Sequence, residues 1–272
     1  MDSPTKARHP IAPAIRVAIM EKLARVERDE NVKIVLAVES GSRAWGFASP
    51  DSDYDVRFIY VRRLADYLTL APRRDVLELP IDATFDINGW DLRKALGLLT
   101  RSNPMLIEWF TSPVRYLAVS PWVEQLVQQA IVAIDPRALR YHYINQTRLR
   151  WDQISHSDPL VSVKHYCYGL RCALALDWLD NHQGLLPMDV ASLVADLSLQ
   201  PALLADMAQL LATKASAHEK GRTARHPLID AYLQAMLEKP RASRKAQSRT
   251  ALSAQGDALF AKIVMALEGS AH

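Results

Sequence analysis

The sequence predicts an α+β protein in which a strand-bearing part comes first and an all-helical part follows. Two observations carry this. Short apolar runs and period-two alternation, the marks of strands, fall before about residue 118 of the 272. From Pro121 onward apolar residues recur at helical spacing, in segments broken at Asp158-Pro159 and between Gly184 and Pro187. The expected organisation is a sheet domain over residues 1–118 joined to a helical domain over 119–272.

The elements follow in order. Met1 to Pro10 is charged and holds two prolines, so little order is expected there. Ala12 to Asp29 places Ile15, Ile19, Leu23 and Val26 at helical spacing, giving one apolar face for a sheet to cover. Ile34 to Val38 is an apolar run too short for a helix and stopped by Gly41, which reads as a buried strand. Gly41-Ser42, a short segment with Trp45, and the turn cluster Ser49-Pro50-Asp51-Ser52 lead into a second strand, Asp53 to Val61. Arg62 to Arg74 is a connection with a short helix near Ala65 to Leu70. Val76 to Leu79 and Ile81 to Ile87 read as two further strands, the second alternating apolar residues with Asp82, Thr84 and Asp86.

Asp91 is placed to cap a helix through Leu92, Ala95, Leu96 and Leu99. Asn103-Pro104 opens another helix and Ser112-Pro113 closes it. Glu108 within it is either a surface residue or a partner of Arg43 or Arg57. Leu139 to Ile154, Val161 to Asp180, Pro187 to Val194, Pro201 to Thr213 and Ala251 to Leu267 are the helices of the second half.

Composition sets wide bounds. Hydrophobic residues at 49% and charged residues at 23% describe a globular chain, and a net charge of +3 permits nucleic-acid binding without arguing for it. The N-terminus lacks the apolar core of a signal peptide and no stretch approaches a membrane span, so a cytoplasmic location is expected. Cys167 and Cys172 sit five apart on one expected helix, about 7.5 Å in rise and roughly 140° in rotation, which is beyond disulfide reach. No Cys or His spacing indicates structural zinc. KPRASRKAQSR, from Lys239 to Arg249, has charge for RNA phosphates but no interleaved aromatic residues, and a solvated loop is the simpler account.

The chemistry is concentrated at Asp53-Tyr54-Asp55. Residues two apart in a strand share a face, so Asp53 and Asp55 present carboxylates side by side with Arg57 next along, while Tyr54, Val56, Phe58 and Tyr60 face a core. Two adjacent carboxylates repel unless a cation lies between them, and magnesium takes such oxygen ligands together with substrate phosphates. Taken alone, the triplet is more simply read as a solvated turn entering an edge strand. Gly41-Ser42 ahead of it shifts the balance, because glycine lets the backbone approach an anion and a following helical turn aims N–H groups at phosphate.

Strand, Gly-Ser, short helix, turn and Asp-x-Asp strand resemble the polymerase-β-like nucleotidyltransferase superfamily. The wording ESGSRAWGFASPDSDYDVRFIYV, then GWDLRKAL and NPMLIEWFTSPVRY, is similar to its RNA-repair-associated branch, RlaP. VKHYCYGLRCALALDW resembles the branch's K-x-Y-x-Y-x-L-R segment, with His165 where a second lysine is common.

The resemblance implies a polymerase-β-type catalytic domain followed by a helical one. It implies transfer of a nucleoside monophosphate from an NTP to a hydroxyl with release of pyrophosphate. Asp53, Asp55 and Asp86 would be metal ligands and catalytic carboxylates for two Mg²⁺ ions, or Mn²⁺ in their place, with Asp91 the competitor for the third position. Gly41 and Ser42 would hold phosphates, Arg43 or Arg57 would support carboxylates or phosphates, and Lys164 and Arg171, two helical turns apart, would reach the triphosphate. RNA is the acceptor the branch implies. A protein-modifying nucleotidyltransferase and a nucleotide-binding regulator without catalysis are the alternatives. The acceptor, the preferred NTP and the oligomeric state are not written in the sequence.

Overall fold

The computed structural model describes residues 11–156, 159–216, 221–239 and 249–269. Helix α1 (Pro13–Glu30) has proline in its first turn, where the missing N–H has no helical partner to lose, and ends at Asn31 in a left-handed conformation, φ 50°. It buries Ile19, Leu23 and Val26. Strand β1 (Val32–Ser40) follows, then the single turn α2 (Ser42–Trp45) and strand β2 (Tyr54–Arg62). After α3 (Leu64–Tyr67) come β3 (Val76–Glu78) and β4 (Phe85–Asp91). Next are α4 (Leu92–Leu99), α5 (Pro104–Thr111), β5 (Arg115–Ala118) and α6 (Trp122–Ala133). The later chain carries α7 (Pro136–Ser155), β6 (Leu160–Ser162), α8 (Val163–Asn181), α9 (Val190–Asp196), α10 (Pro201–Ser216), β7 (Arg222–Ala224), α11 (Pro227–Glu238) and α12 (Arg249–Glu268).

The fold is α+β, with a five-stranded mixed sheet ordered β3-β4-β2-β1-β5 and a largely helical second half. β2 and β4 run parallel; the other pairings are antiparallel. One face of the sheet packs on α1 through Ile34, Val56, Phe58, Tyr60 and Ile87. Ile59 and Val61, which alternate with those residues, are also buried, so β2 is covered on both faces toward its end. Helix α4 packs on β2 and β4, α5 and α6 pack on β1, and α12 packs on α4 and α6. Phe260 of α12 meets Tyr67 edge-on at 4.9 Å, and Glu268 accepts the N–H of Leu64 at 3.0 Å.

Compactness divides the chain differently from a single boundary after residue 118. The sheet unit takes Ile11–Ser40, Asp53–Asp135 and α12; the helical unit takes Gly41–Ser52 and the chain from Pro136 through α11. In the helical unit α8 packs against α7, α9, α10 and α11. It is buried nearly all round, from Val163 to Leu179, as a central helix must be.

Several sequence expectations need correction. The strand expected over Ile81 to Ile87 begins at Phe85 and runs to Asp91, because the Asp82 carboxylate accepts the N–H groups of Thr84 (2.8 Å) and Phe85 (2.7 Å) in a turn. Ile81 is exposed. The helix expected from Pro187 starts at Val190, where Asp189 caps it by accepting from Ser192 N–H at 2.8 Å. Strands do not stop at Pro121: β6 and β7 pair antiparallel, Leu160 opposite Ala224. Helices α6 and α11 and strand β5 were not anticipated. The basic run after Lys239 and the segment before Pro10 lie outside the described residues. Neither cysteine forms a disulfide; Cys167 is buried and Cys172 half-buried.

Candidate active site

The end of β1 fixes the start of β2. Glu39, fully buried after the apolar run of β1, accepts the Asp55 N–H at 2.9 Å through one oxygen and the Tyr116 hydroxyl through the other. Ser112 donates its hydroxyl to the Glu39 carbonyl at 2.7 Å, tying the exit of α5 to the same point. β4 enters beside β2 in parallel, with Tyr54 N–H donated to the Thr84 carbonyl at 2.8 Å. The register then sets Asp55 opposite Asp86 and Arg57 opposite Asn88. Phe85 and Ile87 turn to the α1 core, so Asp86 is on the other face, with Asp55.

Arg57 joins the two carboxylates. One terminal nitrogen donates to Asp86 Oδ2 at 2.7 Å and to Asp55 Oδ1 at 3.3 Å. The other donates to the backbone carbonyls of Asp86 (2.7 Å) and Val56 (3.1 Å). Asp53 is exposed and lies one residue before β2. Among the described residues, no three His, Cys, Asp or Glu side chains are gathered as for a metal ion. The donor chemistry of the Asp55–Asp86 pair nevertheless fits a hard divalent cation, since its carboxylate oxygens carry two negative charges across adjacent strands.

Asp91 belongs to a different setting. It stands opposite Tyr60 at the end of β4, is buried, caps α4 by accepting Arg93 N–H at 2.8 Å, and accepts the Tyr67 hydroxyl at 2.9 Å. Burial pushes its carboxyl above the ordinary carboxylate value, against the opposing pull of those hydrogen bonds and of Arg62 and Arg93.

The Gly-Ser segment is built within the helical unit. Gly41 has φ 79° and ψ −155°, a conformation glycine reaches without strain, and it starts α2 with Trp45 N–H donated to its carbonyl at 2.9 Å. Arg43 is buried and donates to the Ser52 carbonyl at 2.5 Å, and the Ser49 and Ser52 hydroxyls are 2.9 Å apart. Trp45 meets Tyr168 of α8 edge-on at 4.9 Å, and Phe47 lies 5.9 Å from the same ring.

Lys164 and Arg171 face this aromatic group. The Lys164 ammonium sits 5.6 Å from the Tyr168 ring centre, and the Arg171 guanidinium 4.8 Å from that of Trp45. Arg171 is buried and donates through Nε to the Met188 carbonyl at 2.9 Å. His165 is held below the usual histidine value by burial and then by the charges of Arg150 and Lys164. The structure therefore joins Asp55, Asp86 and Arg57 on the sheet; Gly41, Ser42, Arg43, Lys164 and Arg171 belong to the helical unit, where Trp45 meets both Tyr168 and Arg171.

Glu108 is buried, which removes the surface account of it. Two residues that sequence reasoning missed are Glu39 and Lys214. Lys214 is 1% exposed and donates to the Ser49 hydroxyl at 3.2 Å. Its signal was present: Leu203, Met207, Leu210 and Lys214 form one stripe of α10, so the lysine takes an apolar position.

A protein of Bacillus subtilis (strain 168), the uncharacterized protein YcgL, is 42% identical over 221 residues, 81% of this chain and 85% of that protein. The model of RlaP, the RNA repair pathway DNA polymerase beta family, matches residues 15–262, from within α1 to within α12. Over that length, with the Gly-Ser turn and the paired strand carboxylates both inside it, the chain belongs to the RlaP family.

Proposed function

We propose that the protein is a metal-dependent nucleotidyltransferase that moves a nucleoside monophosphate from an NTP to a hydroxyl and releases pyrophosphate, with an RNA end as acceptor. The observation that supports this most is the register of β2 and β4, which sets Asp55 directly opposite Asp86. Membership of a polymerase-β-type family supports it independently, since such nucleotidyltransferases generally use divalent metals.

In this reading Asp53, Asp55 and Asp86 would hold two Mg²⁺ ions, or Mn²⁺ in their place. Bound there, the metal supplies positive charge to the attacking and leaving oxygens of an in-line displacement. The remaining work belongs to the chain. Asp86 takes the acceptor's proton. Gly41 offers backbone N–H and Ser42 its hydroxyl to the β- and γ-phosphates. Lys164 offsets charge on the departing pyrophosphate. Arg171, stacked on Trp45, and Arg43, bonded to Ser52, keep the Gly-Ser segment in shape. Arg57 bonds one oxygen of each of Asp55 and Asp86.

The test is incubation with Mg²⁺ and each α-labelled NTP, in the presence of an RNA oligonucleotide with a free 3′ hydroxyl or, in parallel, of cell-lysate protein. Label on RNA, lost in the Asp53→Ala, Asp55→Ala double variant, is the expected result. Label on polypeptide would replace the RNA acceptor with a protein one. Equal labelling by the double variant would end the metal-site reading.

A further inference from the structure

The geometry points to Arg57 as an internal counter-cation that competes with the divalent metal for Asp55 and Asp86. This rests on the reading of those carboxylates as metal ligands. A single terminal nitrogen of Arg57 serves both, at 3.3 Å and 2.7 Å. It thus takes up one oxygen of each carboxylate that would hold the metal. The side chain is only 13% exposed and the carboxylates 22% and 24%, so water screens the contact incompletely.

The clamp does not depend on the carboxylates alone. The second terminal nitrogen is fixed by the Asp86 and Val56 carbonyls, which keeps the guanidinium in place. Metal entry and withdrawal of this Arg57 nitrogen are therefore one coupled event, and the resting protein binds metal weakly.

The experiment is Mn²⁺ titration of the nucleotide-free full-length protein, with free Mn²⁺ read by electron paramagnetic resonance. Arg57→Gln is expected to bind Mn²⁺ about tenfold more tightly than the unaltered protein, the order expected when a unit charge a few ångströms away is removed from a partly solvated pair. Arg57→Lys, which cannot span both carboxylates and both carbonyls, should also gain affinity and serves if Arg57→Gln does not fold. Unchanged or weaker binding in a folded Arg57 variant would overturn the inference and make Arg57 a support of the carboxylates. The Asp55→Asn, Asp86→Asn pair separates the two levels. Mn²⁺ binding that ignores this double change removes the metal-site reading itself, and with it the competition.

Discussion

Lys214 donates its ammonium to the Ser49 hydroxyl at 3.2 Å, joining the last turns of α10 to the turn that follows Gly41-Ser42. Ser49 is fully buried and shares its hydroxyl with Ser52, so the turn is closed on itself and held from one helix. Lys214→Ala removes a long aliphatic stem as well as the donor, and should destabilise the protein by about 3 kcal/mol. Lys214→Met keeps most of the stem and should lose about 1 kcal/mol through the missing bond. Urea unfolding followed by tryptophan fluorescence measures both. Equal losses would mean that packing of the stem contributes nothing at this position.

Asp91 makes a prediction in pH. Its native carboxyl holds a proton more tightly than the unfolded chain does, because burial disfavours the charge. Stability from this group is thus full below the ordinary carboxylate range and is lost as pH rises through the raised native value. Asp91→Asn keeps an oxygen to cap Arg93 N–H and carries no charge. Relative to this variant, the unaltered protein should lose stability between pH 4 and pH 7. Asp91→Ala, which removes the cap, should be less stable than Asp91→Asn by about 1 kcal/mol at both. Denaturation at the two pH values checks the sign; a difference that grows in the opposite direction would contradict the burial argument.

Gly89 lies under Phe58 in the parallel pair, and a Cβ added there would meet the phenyl ring at 2.2 Å. Gly89→Ala should cost about 2 kcal/mol by overpacking. Phe58→Leu placed on top of it should return part of that loss, whereas Phe58→Leu alone destabilises. A double-mutant cycle in thermal unfolding reads the coupling. Additive losses would show that the ring escapes without strain.

How far the sequence told this depends on whether the deciding interaction is local. The face of β2 carrying Tyr54, Val56, Phe58 and Tyr60 was legible because strand alternation is a property of the backbone. The caps at Asp91 and Asn103 were legible for the same reason: each side chain bonds an N–H two or three residues on. The start of β4 was not, since Asp82 captured two backbone donors and held the chain in a turn although the apolar alternation begins at Ile81. Strand β5, four residues opening on an arginine, exists through its pairing with β1. Lys214 escaped because its partner Ser49 lies 165 residues away. The Arg57 bridge was half visible: its face followed from alternation, but its two-carboxylate grip needed the parallel register of β4.

The choice between Asp86 and Asp91 yields the last prediction. Asp86 stands with Asp55 on a partly open face of the sheet, while Asp91 is buried, bonded to Tyr67 and Arg93, and paired with Tyr60. A group that meets metal and acceptor must be reachable by both, and an amide there keeps the shape while losing the charge. Asp86→Asn should therefore lower NTP-dependent pyrophosphate release by on the order of a hundredfold or more. Asp91→Asn should leave it within about threefold, since the cap survives the change. The two variants differ from the protein by one atom type at one position each, so unfolding midpoints near the unaltered value make the comparison fair. Loss of activity in Asp91→Asn with retention in Asp86→Asn would reverse the assignment, and the third carboxylate would have to be sought at the end of β4 instead of its beginning.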